Sequence, residues 1–130
     1  MKSYNSKDGI IGKGYLGKFL KKKTKIKNIY NSKNIRDAEN KIFNNLFIAA
    51  PSSKKFFANK NGVKDKNNVL KIIKSLKKVK CKHITCLSTI DIYNKKNSSE
   101  NTKVKNNPRN NYGSNSLMLI NFIKKNFKDH

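Results

Sequence analysis

Three glycines restrict the folds open to this chain more than any other feature. In "IIGKGYLGKFL", which begins at Ile10, Gly12, Gly14 and Gly17 form the pattern G-x-G-x-x-G directly after two β-branched apolar residues. Between a strand and a helix the pattern has a physical purpose. The first glycine permits a tight turn, the second lets a diphosphate approach the backbone, and the third lets helix and strand pack closely. Free amides at the helix N-terminus then offer positive partial charge to the phosphates. Taken alone, the pattern fits a glycine-containing loop in a biased sequence equally well, so its meaning depends on the residues downstream.

Those residues alternate between strand and helix patterns. Ile10 and Ile11 predict a short first strand, and a helix from about Gly14 to Lys23 is expected to bury Leu16, Phe19 and Leu20. "IKNIY" (Ile26 to Tyr30) suits a short strand, and "NLFIAA" (Asn45 to Ala50) a strand covered on both faces. Val69, Ile72, Ile73 and Leu76 have the i, i+3, i+4, i+7 spacing of an amphipathic helix whose other side is lysine. "HITCLS" (His83 to Ser88) returns as a strand, the polar stretch from Asn94 to Asn111 reads as a loop, and Tyr112 to Phe127 closes as a helix. That helix places Ile120, Ile123 and Phe127 along one side, with Leu119 and Phe122 nearby. Alternating strands and helices predict an α/β fold with a parallel sheet. At 130 residues, with no repeat and no dividing linker, the expectation is one domain spanning 1–130, its first eight or so residues loosely held.

Composition narrows the function classes. A net charge of +24 favours polyanions, yet 29 of the 31 basic residues are lysines spread along the chain beside 21 asparagines. Arg36 and Arg109 are the only guanidinium groups, whereas base and phosphate recognition favours that planar fork. Nucleic-acid binding is therefore expected to be nonspecific. No apolar run is long enough to cross a membrane and no secretory signal opens the chain, so a soluble, cytoplasmic protein is expected. Cys81 and Cys86 flank His83 in "CKHITCL", but in a strand residues five apart point to opposite faces, so reduced, buried cysteines are expected and no metal site.

A chain that binds NAD presents Asp or Glu to the ribose hydroxyls about twenty residues after the glycines. Here the second strand ends in "YNSKNIR", with Asn31, Ser32, Lys33 and Arg36 and no acid before Asp37. A hydroxyl and cations accept a 2′-phosphate that an acid would repel. The cofactor expected is NADP or NAD, with a slight preference for NADP.

"LFIAAPSSKKFFANKNGVKD", "CLSTIDIYN" and "NNYGSNSLMLINFI" follow the glycine turn in an order and at a spacing that resemble the extended short-chain dehydrogenases/reductases of the NAD-dependent epimerase/dehydratase family. The resemblance runs from Ile10 to Phe127. It implies a Rossmann-like, doubly wound parallel sheet of about five strands, truncated C-terminally, and oxidation or reduction at a sugar hydroxyl or carbonyl, as in enzymes of nucleotide-sugar metabolism. It further implies that the dinucleotide contacts Gly12, Gly14, Tyr15, Leu16 and Gly17, that Ala49, Ala50 and Pro51 line it beneath the nicotinamide side, and that Thr89 hydrogen-bonds the reacting oxygen. Tyr112 would be the general acid/base.

Two departures from that pattern bear on activity. The family's lysine four residues after the tyrosine stabilises the phenolate, and here the position is Ser116. A hydroxyl carries no charge, so Tyr112 stays largely protonated near neutrality unless another cation, such as Lys95 or Lys96, folds over it. The family also continues into a substrate domain that this sequence lacks, which leaves an open sheet edge for a second copy or a partner chain to cover. Three readings follow: an impaired oxidoreductase, a catalytically inactive dinucleotide-binding or assembly subunit, and a basic nucleic-acid-binding protein.

Overall fold

The computed structural model describes residues 7–50, 59–87 and 111–128. Among these residues four parallel strands form one sheet: β1 (Gly9–Ile11), β2 (Asn28–Tyr30), β3 (Ile42–Ile48) and β4 (Lys80–Cys86), in the order β2-β1-β3-β4. The three α-helices among the described residues are α1 (Tyr15–Thr24), α2 (Gly62–Leu76) and α3 (Asn111–Asn126), and a 3₁₀ turn (Ile35–Ala38) lies between β2 and β3. The fold is thus α/β with a parallel sheet, which has four strands among the described residues where the sequence led us to expect about five.

This strand order has a mechanical consequence. The chain steps outward from β1 to β2, then crosses back to β3 and steps outward the other way to β4. Because parallel crossovers are right-handed almost without exception, α1 and α2 cover opposite faces. The packing agrees: Ile11, Tyr30, Ile48 and Ile84 join Val69, Ile72 and Leu76 of α2 and Leu119 and Ile123 of α3 in one core, to which α1 contributes nothing. In-register pairing of Ile11 with Tyr30 and Ile48 sets that face, and Ile10, fully buried, turns to the other. Between β1 and β3 the connections diverge, and their carboxyl ends leave a crevice where ligands bind in open sheets of this kind.

Several local expectations need correction. The helix α1 does not bury its apolar residues: Leu16 is 39% and Phe19 49% exposed, Leu20 is half-buried, and Gly17 alone is buried. Phe19 is instead shielded by Lys23, whose Nζ stands 5.8 Å from the ring centroid. β3 starts three residues earlier than expected: Ile42 and Phe43 pair with Lys80 and Cys81 of β4, and Asn44 N donates to the Lys7 carbonyl at 2.8 Å. Asp8 is 1% exposed, so the firmly held chain begins before the first strand. β4 also starts three residues early, at Lys80, on the sheet's outer edge, where exposed lysines cost nothing. The expected loop from Asn94 lies outside the described residues except for Asn111, which opens α3.

Candidate functional site

A cleft of about 490 Å³ opens at the carboxyl ends of β1, β2 and β3, within the size range of cofactor sites. Its floor is the glycine turn. Gly12 sits at φ +117°, a backbone region that side chains rarely adopt, and a Cβ there would run into the carbonyl of Ala49. The turn is tied on both sides: Gly12 N donates to Tyr30 O at 2.7 Å and Ala49 N to Ile11 O at 2.7 Å. A Cβ on Gly17 would run into the Gly12 carbonyl, so the third glycine is what lets α1 seat against the turn. A Cβ on Gly14 would meet nothing within 4 Å, and this residue is the N-cap of α1.

From the first third of the chain, Gly12, Gly14, Tyr15 and Leu16 line the cleft, as do Asn31 and Ser32. Ala49 and Ala50 form the wall at the end of β3, and Tyr112 enters from the start of α3. Gly17 lies behind the turn, not on its surface. Lys33 and Arg36 are exposed and do not line the cleft, and Ser116 is 8% exposed and does not line it either. The reason is local for the first two. Asn31 Oδ1 accepts from Lys33 N (2.9 Å) and Asn34 N (3.2 Å), folding the chain into a tight turn that leads away into the 3₁₀ segment. Pro51 and Thr89 lie outside the described residues.

Sequence reasoning missed the contribution of α2. Asn68, Lys71 and Ile72 face the cleft, and Lys71 Nζ donates to the Ser32 carbonyl. Lys13 and Lys18 add two further cations, and no acidic residue lines the cleft among those described. Nothing in the sequence separates Lys71 from its many neighbours; only the packing of α2 against the 3₁₀ turn does so.

Tyr112 is placed by a polar clasp between α2 and α3. Its backbone N donates to Asn59 Oδ1 at 2.9 Å. Three residues on, Asn115 Nδ2 donates to Asp65 Oδ2 at 2.7 Å and to the Gly62 carbonyl at 3.2 Å. Asp65 and Asn115 are 2% and 7% exposed, so this pair fixes the two helix starts in a setting where water does not compete.

Cys81 and Cys86 are half-buried, less enclosed than expected, and unpaired with each other. Burial pushes both thiols up to about 11. No group of three or more His, Cys, Asp or Glu side chains among the described residues is gathered to hold a metal ion, and no helix there is long and apolar enough to cross a membrane.

Comparison with protein-family models, with curated proteins and with solved structures returns no match.

Proposed function

We propose that the cleft binds a nicotinamide dinucleotide, with the diphosphate over the Gly12–Leu16 turn, and that the chain is a Rossmann-like domain related to NAD(P)-dependent sugar-nucleotide epimerases, dehydratases and reductases. One observation carries the reading: the glycine turn and Tyr112, from opposite ends of the chain, line the same cleft. The residues present suit such a ligand. Gly14 leaves its approach open, Gly12 adopts a conformation reserved for glycine, and the lining is apolar with a few cations. The nicotinamide ring, when bound, supplies hydride chemistry. Tyr112 would move the proton on the oxygen of a sugar hydroxyl or carbonyl, Ala49 and Ala50 would leave room for the ring, and Lys13 and Lys18 would offset phosphate charge.

A second reading, that the cofactor fold serves as an inactive binding or assembly subunit, is favoured by Ser116. At the position where the related enzymes carry their lysine, this side chain is neutral and buried away from the cleft. The two readings share the binding step and differ in proton transfer.

Titration with NADPH and NADH tests the shared step. The chain has no tryptophan, so the fluorescence of the reduced cofactor can be followed directly. Saturable binding is expected, and a flat response at millimolar cofactor contradicts the reading. Installing a cation by S116K then separates the second step: a gain in carbonyl reduction supports the impaired enzyme, and none supports the binding subunit.

A further inference from the structure

The end of β2 is where dinucleotide folds meet the adenosine ribose, through an acid on the 2′-hydroxyl or a cation on a 2′-phosphate. In this protein the nearby cations of sequence, Lys33 and Arg36, do not line the cleft. Asn31 has its side-chain oxygen engaged by two backbone amides of the turn. The charged group that reaches this spot comes instead from α2: Lys71 Nζ donates to the carbonyl oxygen of Ser32, the residue two beyond the end of β2.

Resting on the dinucleotide reading above, we infer that Lys71 is the 2′-phosphate subsite and makes the protein select NADP(H) over NAD(H). An ammonium has three donors, and the Ser32 carbonyl takes one of them. That acceptor is neutral, so the charge of Lys71 is not balanced by it, and no carboxylate lines the cleft among the described residues. A dianionic phosphate beside Ser32 would receive charge-assisted hydrogen bonds from the remaining donors, which are roughly twice as strong as neutral ones. A bare 2′-hydroxyl would gain far less from the same group. The position is also anchored: Ile72, the next residue, is buried in the core, so Lys71 reaches across the crevice from a fixed base.

The experiment is a paired titration of NADPH and NADH against wild-type protein, K71A and K74A. Lys74 is an exposed lysine of the same helix that does not line the cleft, so K74A controls for the loss of one positive charge. Wild-type protein is expected to bind NADPH about tenfold or more tighter than NADH, the scale of one hydrogen bond to a charged group. K71A should lose about tenfold for NADPH while NADH changes by less than about twofold, and K74A should leave the ratio intact. K71R, which keeps the charge, should retain the preference. K71Q, which keeps a donor for the Ser32 carbonyl, stands in should K71A fail to fold. Equal losses for both cofactors in K71A, or an unchanged ratio, overturn the assignment of Lys71 while leaving the dinucleotide reading in place. Absence of saturable binding of either cofactor to wild-type protein overturns both.

Discussion

The backbone of Gly17 lies against the carbonyl oxygen of Gly12 so closely that no side chain fits between them. The contact joins the first turn of α1 to the end of β1 and explains why two glycines five residues apart are needed to build one bend. Gly14, between them, has no such constraint. The three glycines therefore predict three different phenotypes. G17A should destabilise the fold by about 1–3 kcal/mol through overpacking against backbone. G12A should do at least as much, since strain at positive φ adds to the clash with Ala49. G14V should cost about 1 kcal/mol at most, the loss of a glycine N-cap, yet abolish the cofactor response. Urea midpoints at unchanged m-value, beside cofactor titrations, check the set. A destabilised G14V or a fully stable G17A would contradict it.

The Asp65–Asn115 pair is buried, and removing one partner leaves the other stranded. N115L should cost about 2–4 kcal/mol, because a charged group then loses its hydrogen-bond donor out of reach of water. D65N, in which an amide oxygen still accepts from Asn115, should cost clearly less. A double-mutant cycle gives the coupling directly, and equal losses for the two single variants would show that the pair carries no special weight.

Glu39 links the 3₁₀ turn to the end of α2, through Ser75 Oγ at 3.1 Å and Lys78 Nζ at 3.3 Å. Desolvation pulls its carboxyl upward, but the hydrogen bonds from Ser75 and Lys78 and the charges of Lys78 and Arg36 outweigh it and hold the pKa below the ordinary 4.5. A depressed carboxylate contributes stability above its unfolded value and loses it as pH falls through the folded one. E39Q should therefore be less stable than wild type at pH 7, with the gap closing below pH 4.5. A gap that is constant with pH would assign the effect to packing alone.

For the cysteines the expected outcome is slow chemistry. Raising a thiol from 9.0 to about 11 leaves about a hundredfold less thiolate at pH 8. Iodoacetamide should modify Cys81 and Cys86 far more slowly in native protein than in urea, as intact mass would record. Equal rates in the two states would mean that neither thiol is sheltered.

The amphipathic stripe of α2 was legible because Val69, Ile72 and Leu76 enter the core at helical spacing, and the glycine turn because its φ requirement is written in residue type. The start of β3 was not, since Ile42 and Phe43 join the sheet by pairing with Lys80 and Cys81, and Asn44 through the Lys7 carbonyl, contacts from distant parts of the chain. The same limit applies to the cleft. Asn31 and Ser32 were named from their place at the end of the second strand and Tyr112 from the family resemblance, and all three line the cleft, whereas an Asn31-centred turn keeps Lys33 and Arg36 out of its lining. Lys71 could not be singled out at all: lysines are everywhere in this chain, and only the third dimension brings one of them to Ser32.

If the Gly12–Leu16 amides and Tyr112 surround one dinucleotide, a ¹H–¹⁵N correlation spectrum recorded during an NADPH titration will register it residue by residue. Saturable shifts are expected to concentrate at residues 12–16, Ala49, Ala50 and Tyr112, with the amides of β4 little changed. Shifts scattered over the lysine-bearing surface, or none in the glycine turn, would contradict that arrangement.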